Sequence, residues 1–310
     1  MTDMKILRTD HINEQAKRGT ADFIRETDEA YRAQLETVAA HILATHEERP
    51  IVLISGPSGS GKTTTAQMLE QILDRSGVES HTLSMDNYFK SLSPEELEMV
   101  ARGELDLESP ARVDAELLHE QLSAMVRGEA VALPRYDFVS SRRVDSGEVL
   151  TRGKNEIVIL EGIHTLNPAV VRLPDDRMTK LYISVRTRVV FDDITLHPSK
   201  VRLLRRMLRD RVGRGRNPEE TLALFASVQR GESRYIMPYK GRADFDIDTF
   251  VAYELSVYKK AFMEELIHLH SNAEMDPLLT VLDHIDGISA DGVPRDALIR
   301  EFIGNGVFRH

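Results

Sequence analysis

Residues Gly56-Pro57-Ser58-Gly59-Ser60-Gly61-Lys62-Thr63 carry the most specific chemistry in the chain. They complete the pattern G-x-x-x-x-G-K-[ST], a phosphate cradle. Its glycines let backbone N–H groups turn inward around a phosphate without Cβ clashes. The lysine reaches the β- and γ-phosphates, and the last hydroxyl serves Mg²⁺. The expected nucleotide-binding set is therefore Gly56, Ser58, Gly59, Ser60, Gly61, Lys62, Thr63 and Thr64, with ATP and Mg²⁺ as ligands. An apolar strand, Ile51-Val52-Leu53-Ile54, precedes the loop, and a helical pattern over 64–73 follows it. Strand, glycine turn and helix N-terminus is the context this motif requires.

Two acids stand where a second component of such a site would be. Asp86 follows an expected strand near 78–84, and Glu161 follows the apolar run Ile157-Val158-Ile159-Leu160. In open parallel sheets, ligands sit beyond the carboxyl ends of the strands. A carboxylate there can take the proton of an attacking hydroxyl or hold a metal. On spacing alone Asp86 could equally cap a turn, and Glu161 could be a solvated strand-end acid. Between residues 200 and 216, Lys200, Arg202, Arg205, Arg206, Arg209, Arg211, Arg214 and Arg216 face one acid, Asp210. Such a run is a solvated helix face, an RNA contact, or a lid whose arginines close over phosphates and exclude water. Gly213 and Gly215 would supply its bend.

The rest of the chain has to position these groups. With 310 residues, 41% hydrophobic and 29% charged, it can bury a full core. A net charge of −10 argues against a duplex-coating nucleic-acid binder. With no cysteine there is no disulfide, thiolate nucleophile or thiolate metal site. No apolar run approaches the roughly 18 residues that span a bilayer, and the N-terminus lacks a signal-peptide core. The expectation is a cytoplasmic protein without membrane contact.

Residues 1–20 carry no clear pattern. Apolar spacing predicts a helix from Ala21 to His46. Helices over 93–102 and 113–127 follow the second strand, the first opened by Ser93-Pro94-Glu95-Glu96. Residues 133–138 read as a loop or short strand. Strands are expected at 157–160, 181–185, 245–251 and 278–282. Further helices are expected at 200–212, from Asn217, at 252–269 and near 295–303. This alternation implies an α/β fold: a three-layer α/β/α P-loop NTPase with a mostly parallel sheet, a helical lid, and added N- and C-terminal helices. The expected division is an N-terminal helical extension (1–48), a P-loop kinase domain (49–250, with its lid at about 200–240) and a C-terminal helical extension (251–310).

Five ordered motifs resemble the uridine kinase and phosphoribulokinase family of P-loop kinases, nearest its uridine–cytidine kinase branch. Gly56 to Thr63 looks like its phosphate loop. Met85-Asp86-Asn87-Tyr88-Phe89 is similar to its Asp-Ser-Phe-Tyr motif, and Leu107-Glu108-Ser109-Pro110 with Val113-Asp114 to its Phe-Asp-His-Pro-x-x-Phe-Asp segment. Pro134-Arg135-Tyr136-Asp137-Phe138 resembles Pro-x-Tyr-Asp-Phe, and Arg205-Arg206-Met207-Leu208-Arg209-Asp210 with Arg214-Gly215-Arg216 resembles its lid. The likeness spans about Ile51 to Asp248. It implies a nucleoside 5′-hydroxyl as phosphate acceptor, Asp86 as general base, and Lys62 and Arg209 as catalytic cations. It further implies Thr63 and Glu161 at Mg²⁺, and Phe89, Glu108, Tyr136, Phe138, Ser141, Arg206 and Arg216 toward the substrate. Members are often homo-oligomers.

Three positions depart from the family. Glu108 replaces a ribose-gripping Asp, Ser141 a base-reading His, and Leu224 a lid Gln. Lost polar partners in a buried site cost about 1–3 kcal/mol each. The acceptor therefore stays open between a nucleoside and a sugar phosphate, glycerate or pantothenate. A nucleotide-switched binding protein is the reading from another class; the absence of Asn-Lys-x-Asp argues against a GTPase switch.

Overall fold

The computed structural model describes residues 5–308. A short strand β1 (Ile6–Arg8) leads into α1 (Thr9–Thr45), which breaks at Gly19. The helix thus begins well before the periodic stretch read from sequence, because its first turns are largely solvent-exposed and polar. Next come β2 (Ile51–Ser55), α2 (Lys62–Arg75), β3 (Ser80–Ser84), α3 (Pro94–Ala101) and α4 (Ala115–Arg127). Helix α3 starts as its sequence predicts: the Ser93 side chain accepts from Glu96 N and the Glu96 carboxylate accepts from Ser93 N. A hairpin of β4 (Ala130–Asp137) and β5 (Arg142–Thr151) follows, then β6 (Ile157–Glu161) and β7 (Met178–Ser184). After β8 (Arg188–Phe191) and β9 (Ile194–Leu196) come α5 (Pro198–Arg214), α6 (Pro218–Tyr235) and β10 (Phe245–Asp248). The chain finishes with α7 (Glu254–Leu266), α8 (Asp276–Asp283) and α9 (Arg300–Ile303).

The central sheet has five parallel strands in the order β10-β7-β2-β6-β3. Side chains alternate across it. Val52, Ile54, Ile157, Ile159, Leu181 and Ile183 enter one core with α1, α2, α5, α7 and α8. Ile51, Leu53, Val158, Leu160 and Tyr182 enter the other, with α4 and the hairpin. Both faces are therefore dry, which is why these strands are continuous apolar runs. Each such Val, Leu or Ile contributes about 1.5–3 kcal/mol by leaving water.

The structure corrects several sequence expectations. Residues 278–282 form part of helix α8, not a strand. Leu278, Leu279, Val281 and Leu282 are all buried, and the polar face of this eight-residue helix is only Asp276, Thr280 and Asp283, too short a pattern to separate from a buried strand. Strand β5 went unread because Arg142 to Thr151 is polar and mostly exposed, paired only with β4. The 245–251 strand ends at Asp248, and only Arg300–Ile303 of the last expected helix is α-helical. Helix α5 runs through Gly213 and stops at Gly215, whose φ of 63° caps it. Among the described residues no helix is long and apolar enough to cross a membrane.

Helix α1 is tied to the body by polar as well as apolar contacts. Tyr253 donates to Asp28 Oδ1 at 2.8 Å, while Asp28 Oδ2 is buried without a partner. Burial pushes this carboxyl up from 3.8 to about 6. The folded chain thus holds a proton that the unfolded chain has released, so the stabilisation is complete below 3.8 and is lost as pH rises through about 6. Asp28→Asn keeps the acceptor and deletes the charge. It should gain about 1–2 kcal/mol at pH 7.5 and nothing at pH 4. Urea unfolding at the two pH values checks this; equal stability of variant and parent at pH 7.5 would refute it.

Candidate functional site

The phosphate loop lies at the carboxyl end of β2, in the middle of the sheet. A Cβ on Gly56 would stand 2.1 Å from the Ile183 carbonyl, so only glycine lets the loop leave the sheet here. Gly61 has a φ of 87° and supplies the left-handed turn into α2. Lys62 Nζ lies against the Pro57 carbonyl at 3.3 Å. Thr63 is half-buried beside it, and Ser60 and Thr64 are fully buried.

Asp86 sits in a 3-10 turn at the carboxyl end of β3, and Glu161 at the end of β6. Ser84 and Glu161 are register partners, so the two acids emerge from neighbouring strands. Lys62 feels the charges of Glu161 and Asp86, which places all three in one cleft. Burial lowers Lys62 from its usual value, opposed by those carboxylates. Glu161 is 6% exposed, and burial pushes it up to about 7 against the pull of Lys62 and the Ser84 hydroxyl. A buried carboxylate beside a second acid at the phosphate loop offers hard oxygen donors that a Mg²⁺ ion would satisfy. The residues present fit that ion.

The arginine run is not a solvated face. Arg202 donates to Ser58 O at 3.1 Å and pairs with Glu232 at 2.7 Å. Arg206 donates to the Ser58 hydroxyl. Arg205 is fully buried, bound to Glu254, Gly59 O and Thr249 O. The first turns of α5 therefore clamp the phosphate loop. Farther along, Arg209 and Arg216 both approach the buried Asp210, at 3.2 and 3.6 Å. Arg209 also acts on Lys62 through its charge, so it borders the cleft. Arg216 is 40% exposed and leans on Asp210. The Arg214 side chain lies outside the described residues.

The acceptor side is built from three pieces. Phe89, Tyr136 and Phe138 form an edge-to-face aromatic row with centroids 5.7 and 5.1 Å apart. Asn87 fixes it by accepting from Tyr136 N at 3.1 Å. Tyr136 is buried while Phe138 is 64% exposed at the hairpin tip. Ser141 ends the hairpin turn with a φ of 54°. Opposite, Glu108 feels Arg206, Lys62 and Asp86, and burial raises its carboxyl. A Cβ on Gly231 would meet Glu108 Cβ at 2.3 Å, so α6 presses directly onto this acid. Tyr235 closes the contact by donating to Asp106 at 2.9 Å. Leu224 lies two turns before Gly231 on the same face of α6 and is 44% exposed.

Sequence reasoning missed four contributors. Asn87 and the Asp106–Tyr235 pair lay inside or beside recognised motifs but gave no separate signal. His164 is buried, and its Nε2 donates to Glu108 O at 2.9 Å; burial lowers it to about 4, so the ring is neutral. A polar residue just past Glu161 was the available hint. Glu301 is the fourth: its carboxylate accepts from the Thr64 hydroxyl at 2.7 Å and from Thr64 N at 3.4 Å. Nothing local in the sequence announces a contact across 237 positions.

Comparison with known proteins gives the family. Residues 51–256 match the model of the Phosphoribulokinase / Uridine kinase family. A uridine kinase of Halobacterium salinarum is 32% identical over 195 residues, 63% of this chain and 77% of its own length. Uridine-cytidine kinase 2-B of Danio rerio is 29% identical over 217 residues, 67% and 77% of the two chains. Among solved structures, a protein described as a fructose transport system kinase from Silicibacter sp. TM1040 superposes with a TM-score of 0.53 at 19% identity. That match covers 68% of this chain and 98% of the other, and it supports the α/β P-loop kinase fold.

Proposed function

The chain belongs to the phosphoribulokinase / uridine kinase family, whose members are phosphotransferases, and on that premise we propose that it moves the γ-phosphate of ATP to the 5′-hydroxyl of a nucleoside. The observation that carries the reading is the meeting of Lys62, Asp86 and Glu161 in one cleft, with Glu108 and the Tyr136 row facing them. Asp86 accepts the proton of the attacking hydroxyl. Lys62 and Arg209 neutralise charge that spreads onto the transferring oxygens. Thr63 and Glu161 would hold Mg²⁺, which when bound would offset the charge of the phosphates. Glu108 binds acceptor hydroxyls, and Tyr136, Phe138 and Phe89 wall the acceptor. Gly231 and Tyr235 bring α6 down over it, keeping water from competing as the nucleophile. The reaction belongs in the cytoplasm, where ATP is supplied.

A second reading keeps the mechanism and changes the acceptor to a sugar phosphate, glycerate or pantothenate. Ser141 and Leu224 favour it, since neither can reach and hold a base edge as the residues they replace would. The test is ADP release from Mg·ATP with uridine, cytidine, adenosine, guanosine, thymidine, ribulose 5-phosphate, glycerate or pantothenate. One nucleoside should raise the rate at least about tenfold over ATP alone, a difference of 1.4 kcal/mol in barrier. Stimulation by a non-nucleoside only would replace the first reading with the second.

A further inference from the structure

Helix α2 begins without a side-chain cap, because its N-cap is Gly61. Its first-turn N–H groups are the donors a nucleotide phosphate takes in a loop of this kind. In this chain the Thr64 donors are already engaged by the Glu301 carboxylate, at 2.7 Å from the hydroxyl and 3.4 Å from the amide. Leu298 lies over Gly61, 2.8 Å from where a Cβ would be. In the same loop the fully buried Ser60 hydroxyl has no partner. The C-terminal segment therefore covers part of the phosphate loop and places a negative charge on a phosphate position. Lys62 feels Glu301 together with Asp86 and Glu161.

We propose that Glu301 is an internal competitor of the nucleotide phosphate, so that nucleotide binding and the Glu301 contact with Thr64 exclude each other. The proposal rests on the nucleotide-site reading above. A phosphate arriving at Thr64 must displace the carboxylate, since two anions cannot share these donors. The segment is held independently: Asp296 pairs with Arg32 at 2.7 Å, and the buried Phe302 ring lies 4.9 Å under the Arg205 guanidinium. Loss of the Glu301 contact thus loosens the segment without unfolding its anchors. Empty protein is latched, and nucleotide opens the latch.

The test measures ADP affinity of the full chain by calorimetry for the parent, Glu301→Gln and Glu301→Ala, with and without Mg²⁺. Both variants should bind ADP at least about tenfold more tightly, with the gap narrowing at high salt. In the parent, ADP should speed hydrogen exchange of amides 298–304, a readout that a purely structural role would not give. Equal or weaker binding by Glu301→Gln, together with unchanged exchange in the parent, overturns the proposal. Should Glu301→Ala fold poorly, Glu301→Gln keeps the size and the acceptor and decides alone. Absence of ADP binding by parent and variants alike would instead overturn the nucleotide site itself.

Discussion

Asp86→Asn should lower kcat by about 10²–10⁴ while leaving ADP affinity nearly unchanged. The amide keeps the size and the turn: Asp86 N still bonds the Ser84 hydroxyl, and the 3-10 segment that carries it is unaltered. What disappears is the negative charge, and with it the ability to take a proton from the acceptor hydroxyl. Because Asp86 also interacts with Lys62 and Glu161, the alternative is that it holds the metal. The two roles separate kinetically. Loss of a base removes the acidic limb of the kcat–pH profile at saturating Mg²⁺. Loss of a metal ligand raises the Mg²⁺ concentration needed for half-maximal rate. Turnover within threefold of the parent would sink both assignments.

Arg205→Ala should cost about 3–5 kcal/mol of folding stability. The guanidinium is fully buried and uses its fork completely: 2.7 and 2.9 Å to Glu254, 3.2 Å to Gly59 O and 2.6 Å to Thr249 O. Truncation leaves the Glu254 carboxylate charged and dry, with its other listener being Val251 N at 3.0 Å. It also frees a phosphate-loop carbonyl. Arg205→Lys keeps a charge but cannot serve carboxylate and carbonyls together, so it should fall between the two. Chemical denaturation measures the series. A cost under about 1 kcal/mol for Ala would mean that water enters and replaces the guanidinium.

The sheet and the loop were legible because their signals are local. β2, β6 and β7 are short dry runs, and the phosphate loop must have its glycines where backbone passes Ile183 and turns into α2. Asp86 and Glu161 followed from the rule that ligands lie beyond strand carboxyl ends. The family likeness, not spacing, raised Glu108 and Tyr136. The arginine run was read as a solvated face, an RNA contact or a lid over the phosphates, and Arg202, Arg205 and Arg206 reach the phosphate loop itself. Counting cations cannot tell a helix that faces solvent from one whose guanidiniums satisfy buried carbonyls, as Arg202 and Arg205 do. Helix α8 shows the complementary failure: over eight residues the polar face of Asp276, Thr280 and Asp283 is too short to stand out beside the apolar run 278–282. His164 and Glu301 act through contacts between distant segments, to which a linear pattern is blind.

The two ends of the chain meet at the phosphate loop: Tyr31 of α1 bonds Thr65 at 2.7 Å, and Glu301 bonds Thr64. The Arg32–Asp296 pair joins positions 264 residues apart. During synthesis the glycine loop leaves the ribosome early, and Glu301 follows Thr64 only 237 positions later. The loop therefore stays without that contact while those residues are made. At about 5–20 residues per second, that interval is of the order of ten seconds to a minute. The Glu301 contact with the phosphate loop is thereby made long after the loop itself is synthesised.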